Sequence, residues 1–445
     1  MKTSIVHGVI LAAGYGMRHR AITNPGICSF ARPKPMLPLL NRVLIDYSIN
    51  ALQRLGVQMI HVGTGPRPMS EILERHLAEL ETPSFRINAF SEKSLLDTAG
   101  TLKYIMENFL DVDRGDTICV LPCDTPNNID LKPILLNHLH NNAALTVAAL
   151  PIRWSSTEWK ERTFGTIKLG ILPTIAEFRD RNHFETALRQ RSEVLHGQSF
   201  RVETFCEQEE RDRAQSNLIS TAIYFFQAGL LMDLAPFITP READPRFSDI
   251  GLHILPLLGG RHEEFASHNI NDNFIRKVKR GDYPFYAYLL PGNTYWRDIG
   301  NPLALLQANL AALQMNAGQK PNEEAESVGR FPSSWQSLGE LARKFRNPSF
   351  IDESAVIRST ARIRNSVILG NTDIAGHIKN SIVFPGSHQS LAGKSMMRRN
   401  VISRGVRLVN CIFVGGTLGP EFAPKTISDR IIYETIHGGL AFDPI

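Results

Sequence analysis

Gly14, Gly16 and Arg18 follow directly on an apolar run, Val9 to Ala13. Glycine lets a backbone turn with positive φ and come close to a ligand, because no Cβ stands in the way. N–H groups in such a turn can point at phosphate oxygens, and an arginine adds a fork of donors. A second basic cluster follows, Arg32-Pro33-Lys34-Pro35-Met36-Leu37-Pro38. Its prolines stiffen the chain around Lys34, so the ammonium is presented from a rigid loop. Two cations on rigid loops at the end of one strand suit a triphosphate. Farther on, Asp124 closes the run from Asp116 to Cys123. A carboxylate at a strand's C-terminal end, beside a phosphate loop, is well placed to hold Mg²⁺.

These residues need a scaffold, and the hydrophobic pattern supplies one. Val9 to Ala13 has the length and branching of a buried strand. Leu44, Tyr47, Ala51 and Leu55 form a helical stripe that Gly56 can close. Residues 58–63, 116–124 and 144–151 read as further strands, residues 71–80 as a helix, and Asp130 as the cap of another. This alternation predicts a Rossmann-like α/β fold, a mixed and mostly parallel sheet with helices on both faces. In such sheets ligands bind beyond the carboxyl ends of the strands, where the glycine turn falls. Residues 164–168 and 175–181 read as a hairpin, 182–216 as polar and partly helical, and 217–226 as a strand.

The chain has 445 residues, enough for two domains and a large core. A hydrophobic share of 43% and a charged share of 21% are ordinary for a globular protein. The net charge of +5 suits a small anionic substrate, and no block of like charge argues for nucleic acid. Five scattered cysteines without metal-type spacing point to reduced thiols in a cytoplasm. Lys2 and the apolar stretch after it mimic a leader, but His7 and Gly8 interrupt the run. No stretch is long and apolar enough to span a bilayer, so no membrane partner is expected.

Leu11-Ala12-Ala13-Gly14-Tyr15-Gly16-Met17-Arg18, followed by the Arg32 to Pro38 cluster, resembles the opening of the sugar-1-phosphate nucleotidyltransferases, the nucleotide-sugar pyrophosphorylases. The resemblance implies that Leu11, Ala12, Ala13, Gly14 and Gly16 bind the nucleotide and that Arg18 and Lys34 are catalytic. Asp97-Thr98-Ala99-Gly100 resembles the family's Gly-Thr-Ala-Gly segment, which implies base contacts by Thr98, Ala99 and Gly100. Asp97 stands where many members have glycine, and Asp97 or Thr98 can equally be a helix N-cap. Family members usually carry Gly-Asp where this chain has Cys123-Asp124. Gly165 and the pair Asp180-Arg181 resemble the sugar-phosphate segment, with an arginine fork in place of a lysine. Ser220 to Tyr224 resembles the sugar-contacting Ser-x-Gly-Ile-Tyr, with Ala222 at the usual glycine. Residues 247–256 resemble a run of ADP-glucose pyrophosphorylases, with His253 replacing an acid. Tyr295-Trp296-Arg297-Asp298-Ile299-Gly300 matches a further motif, which implies Asp298 as the second Mg²⁺ carboxylate. Asn301 and Pro302 then open a helix running to Met315.

Residues 316–347 are polar and carry proline and glycine, and read as a linker between a catalytic domain, 1–315, and a C-terminal domain, 348–445. In the latter, Ile351, Val356, Ile363, Ile368, Ile374 and Ile382 recur at roughly six-residue spacing. This resembles the left-handed parallel β-helix of many such enzymes and implies a homo-oligomer built through it. Its arginines and lysines read as a solvated face, with an anionic effector site as the alternative. The expected reaction joins a nucleoside triphosphate to a sugar 1-phosphate and releases pyrophosphate, with Mg²⁺ as cofactor. Two other readings are a regulatory paralogue that binds sugar nucleotides without turnover, and a bifunctional enzyme whose C-terminal domain is an acyltransferase using His377 or His388.

Overall fold

The computed structural model describes residues 5–14, 16–67, 69–152, 164–169, 195–209, 216–265, 267–292, 294–316, 349–391 and 394–445. Asp180, Arg181, the second arm of the expected hairpin and nearly all of the expected linker lie outside them.

The N-terminal part is built on a ten-stranded sheet. Its strands are β1 (Val6–Ala12), β2 (Met59–Thr64), β3 (Arg86–Ser91), β4 (Thr117–Pro122), β5 (Leu145–Pro151), β6 (Phe164–Lys168), β7 (Ser199–Arg201), β8 (Thr204–Glu209), β9 (Leu218–Gln227) and β10 (Phe285–Leu289). The order is β3-β2-β1-β4-β9-β5-β10-β7, with β6 pairing β9 and β8 pairing β6. Strands β1 to β4 are mutually parallel, and β5 and β10 run with them. Only β7, β8 and β9 run the other way. The sheet is therefore mixed and mostly parallel, as expected.

Helices cover it for a simple reason. Strand residues such as Val9, Ile10, Ile118, Val120, Val147 and Ala148 have no exposed surface and need apolar cover on both faces. Helix α1 (Leu44–Leu55) supplies part of it through Ile45, Ile49, Ala51 and Leu52, and ends at Gly56 with φ 91°. Helix α2 (Met69–Glu79), α3 (Asp97–Phe109) and α4 (Leu131–His140) continue the layers. Asp130 caps α4 by accepting from the Lys132 amide. No helix of the described residues is long and apolar enough to cross a membrane.

The hairpin expected over 164–168 and 175–181 has its second arm outside the described residues. The described antiparallel partners of β6 are β8 and β9. The stretch read as polar and partly helical therefore contains β7 and β8. Phe205 is the only residue of Thr204–Glu209 with the look of a core side chain, and a register shift between Cys206 and Glu209 breaks the alternation.

The C-terminal strands fall into three sheets that the chain visits in turn, parallel but for Leu440–Pro444, which runs antiparallel at the edge of the first. Phe350–Ile351, Val367–Ile368, Ile382–Val383, Ile412–Phe413 and Arg430–Glu434 pair in the first. Val356–Ile357, Thr372–Ile374, Asn400–Ile402 and Thr417–Leu418 form the second. Arg362–Arg364, His377–Lys379, Arg407–Val409 and Thr426–Ser428 form the third. One corner carries a ladder of amides: Asn365 donates to Asn380, Asn380 to Asn410, and Asn410 to Asp429. All four have positive φ, which short polar side chains tolerate best after glycine. An antiparallel hairpin, Ser387–Leu391 with Lys394–Arg398, interrupts the pattern.

The C-terminal sheets do not stand apart. Ile22, Phe30, Leu37 and Leu44 share one apolar core with Leu305 and Leu313 of helix α5 (Pro302–Asn316) and with Val367, Ile382, Ile412 and Ile431.

Candidate active site

A cavity of about 550 Å³ opens beyond the C-terminal ends of β1 and β4. Its walls are drawn from the glycine turn, the Lys34 loop, the start of α3, the end of β4, and loops around Arg241 and Asp249.

Strand β1 stops at Ala12, and the chain reaches Gly16 at φ 61°. Thr23 fills the space where a Gly16 Cβ would lie, 3.2 Å from the nearest atom, and its hydroxyl donates to the Gly16 carbonyl. A larger residue here would meet both an unfavourable φ and a clash. A short 3₁₀ turn, Met17–His19, then carries Arg18 to the cavity wall.

Lys34 opens another 3₁₀ turn behind Pro33. Its side chain is 12% exposed and pairs with Asp124, which is 21% exposed. Burial alone would lower the lysine's pKa, but the charges of Asp124 and then Asp298 outweigh it and hold the ammonium above its ordinary value. Burial likewise opposes the Asp124 charge, and Lys34, with help from Arg18, keeps that carboxyl below its ordinary value.

Asp298 comes from a separate loop fastened to the Asp124 loop. The Ile299 amide donates to the Asp124 carbonyl at 3.1 Å, and the Arg297 amide to the Pro126 carbonyl at 3.2 Å. Asn127 bridges Trp296, and the Trp296 indole donates to the Thr221 carbonyl. Helix α5 starts immediately afterwards, with Asn301 accepting from the Ala304 amide. The motif's rigidity thus comes from backbone ties on both sides of the carboxylate.

Two carboxylates around one ammonium form a hard oxygen donor set that fits a divalent cation held jointly with substrate phosphates. Among the described residues no group of three or more His, Cys, Asp or Glu forms a closed metal cage.

At the other end, Asp97 is the first residue of α3 and has φ 59°. It accepts from the Ser248 hydroxyl at 2.8 Å, with Arg241 Nε at 3.4 Å and Arg246 Nη1 at 3.5 Å. Leu96, not Asp97 or Thr98, holds the N-cap position, without a side-chain cap. Thr98 instead donates to Asp249 and accepts from the Ile250 amide. Ala222, at the other usual glycine position, also has φ 59°. Both substitutions therefore sit on a backbone that still has glycine geometry.

Leu11, Ala13, Gly14, Gly16, Arg18, Lys34, Thr98 and Asp124 line the cavity together. Other predicted site residues stand behind its wall. Ala12 is core. The Ala99 and Gly100 amides donate to the Ser248 carbonyl, which fastens the Asp249 loop to α3. Gly165 makes room for Glu207, whose Oε2 lies 2.5 Å from an added Cβ. Ser220 accepts from the Ala222 amide.

Sequence reasoning missed Glu207, Arg241 and His19, all on the wall. His19 is 1% exposed, and neither ring nitrogen finds a hydrogen-bond partner. Burial, reinforced by Lys34, pushes its pKa down to about 3, so the ring is neutral. Its place beside Arg18 was the available signal. Glu207 lies in the polar strand β8 and Arg241 in a turn, and neither pattern carries one.

The nucleotidyl transferase family model matches residues 7–315, about two-thirds of the chain and all of the wall just described. The chain belongs to the nucleotidyl transferase family. The resemblance read from the glycine–arginine and Lys34 motifs is borne out. Among similar proteins, glucose-1-phosphate adenylyltransferase 1 of Vibrio parahaemolyticus is 25% identical over 328 residues, covering 70% of this chain and 67% of the relative. Glucose-1-phosphate adenylyltransferase of Nitrosospira multiformis is 23% identical over 432 residues, covering 92% of this chain and 87% of the relative, so its match continues into the C-terminal sheets. A crystal structure of UDP-glucose pyrophosphorylase complexed with UDP-glucose aligns with 70% of this chain and 99% of its own at a TM-score of 0.46 and 15% identity.

Proposed function

We propose that this nucleotidyl transferase joins a nucleoside triphosphate to a sugar 1-phosphate, forming a nucleotide-sugar and releasing pyrophosphate. The observation that carries the reading is the Lys34–Asp124 pair, with the Asp298 charge also acting on the ammonium, in a cavity whose rim bears the glycine turn and Arg18. An oxygen of the sugar phosphate attacks the α-phosphorus in line, a new P–O bond forms, and the bond to the β-phosphate oxygen breaks. No protein nucleophile is required, so catalysis is positioning and charge neutralisation.

In this reading Arg18 and the amides around Gly14 and Gly16 hold the β- and γ-phosphates. Lys34 stabilises charge that builds on the α-phosphate, turning to it from Asp124. Asp124 and Asp298 would hold Mg²⁺, which when bound neutralises phosphate charge between the two substrates. Glucose 1-phosphate and ATP are the first substrates to test, supported by the names of the relatives. The five cysteines are free thiols, which fits a reducing cytoplasm. We read residues 1–315 as the catalytic domain, 316–347 as a linker and 348–445 as a left-handed β-helix through which the protein forms homo-oligomers. The three sheets visited in turn support the last assignment.

The test is pyrophosphate release by purified protein with Mg²⁺, across nucleoside triphosphates crossed with hexose 1-phosphates. A productive pair names both substrates. Silence across the matrix, with nucleotide-sugar binding retained in a thermal-shift assay, would replace this reading with the regulatory one.

A further inference from the structure

We propose that Arg241, presented by Asp97, is a cation that receives the phosphate of the sugar substrate. The inference rests on the proposed reaction and adds to it a binding residue and an anchor.

In-line displacement requires the attacking phosphate to enter opposite the departing pyrophosphate. The two incoming anions therefore need separate cations. Arg18 and Lys34 belong to the glycine-turn side of the cavity. Among the described residues the remaining lysine or arginine on its wall is Arg241, which comes from a different loop. Its side chain is 40% exposed, so its charge is within reach of a ligand. Its contact with Asp97 is made through Nε. A guanidinium also carries two terminal nitrogens, which are paired donors for a phosphate.

Asp97 is built as an anchor. Ser248 donates to it and Arg246 stands against it, so its carboxylate is fixed before any ligand arrives. Two guanidiniums share this one carboxylate, and Glu207 and Asp249 stand on the same wall. Asp249, also on the wall, accepts from the Thr98 hydroxyl and the Leu252 amide. The left-handed backbone at Asp97 disfavours any residue with a Cβ. A side chain that persists there in spite of the strain is consistent with a task for its carboxylate.

The experiment measures equilibrium binding of glucose 1-phosphate and of ATP separately by calorimetry, and both KM values in the pyrophosphate assay. Other hexose 1-phosphates serve if the matrix names one of them. Arg241→Gln should raise Kd and KM for the sugar 1-phosphate at least tenfold and leave those for ATP within twofold. Arg241→Lys, which keeps the charge without the fork, should fall between. If Arg241→Gln does not fold, Asp97→Asn carries the test, with the same selective loss as the expected result. Unchanged sugar-phosphate binding, a loss confined to ATP, or equal losses for both would overturn the proposal while leaving the reaction intact. Wild-type protein that binds no hexose 1-phosphate would overturn both.

Discussion

Lys34→Met should destabilise the protein more than Asp124→Asn, because the structure is asymmetric around the ammonium. Removing the lysine takes away the cation on which both Asp124 and Asp298 act. Removing the Asp124 charge leaves Lys34 still attracted by Asp298. Breaking a buried ion pair by deleting one partner costs about 3–5 kcal/mol. Lys34→Met belongs at that level and Asp124→Asn well below it. With a urea dependence of about 2–3 kcal/mol per M, the lysine variant should unfold at a midpoint roughly 1–2 M lower. The double variant should cost less than the two singles together, with a coupling of about 2 kcal/mol. Divalent metal should restore stability to Lys34→Met more than to wild type, since a cation between the carboxylates replaces the lost ammonium.

The pH dependence follows from the same pair. The Asp124 pKa is lowered on folding, so its contribution is present above the unfolded value of 3.8 and is lost as pH falls through the folded one. The Lys34 pKa is raised, so its contribution is present below 10.5 and is lost as pH rises through the folded value. The gap between wild type and Lys34→Met should therefore be widest near neutrality and close in strong acid. Strictly additive singles, or an Asp124→Asn cost equal to that of Lys34→Met, would refute the account of one ammonium shared by two carboxylates.

His19→Leu replaces a buried neutral ring by an apolar side chain. Since the ring's pKa falls from 6.5 to about 3 on folding, wild type should lose stability from pH 6.5 downward more steeply than the variant in thermal-shift scans. Ala222→Gly should stabilise by about 1 kcal/mol, read as a urea midpoint shift, by removing a Cβ from a left-handed backbone. Gly415→Ala should cost about 1–3 kcal/mol, since the new Cβ would lie 2.3 Å from the Phe30 ring. Limited proteolysis should show that loss as faster cleavage.

Legibility in the sequence tracked how local the cause of each feature is. The glycine turn, the Gly56 cap, the Asp130 cap and the Asn301 cap are set by neighbours a few residues away, and all stand where the pattern put them. Asp97 and Ala222 were visible as departures from a family pattern, but their left-handed φ was not, because φ is imposed by the turns around them. Strand β8 was missed because Thr204–Glu209 is polar and kinked, and its membership of the sheet depends on partners distant in sequence. Arg241 and Glu207 reach the wall through tertiary packing alone, Glu207 by lying over Gly165 and Gly251. A glycine whose Cβ space is taken by a distant carboxylate leaves no trace in local spacing.

The support of the Lys34 loop extends this point across the molecule. Between Arg18 and Lys34 the chain leaves the large sheet and leans on the C-terminal strands. Cys28 bridges Thr435, and Ser29 uses both its amide and its hydroxyl on the Glu434 carbonyl. Phe30 lies over Gly415, and Arg32 donates to the Pro385 carbonyl. Burial brings the Arg32 pKa down to about 10, still far above neutrality, so a full charge is buried two residues before Lys34. A segment with so many partners in another part of the chain cannot shift without disturbing them. The prolines around Lys34 stiffen the loop locally, and these contacts fix where the stiff loop stands. The C-terminal sheets are therefore part of what positions the cation, and a perturbation at Gly415 or Glu434 has a short physical route, through Phe30 and Ser29, to the chemistry at the end of β1.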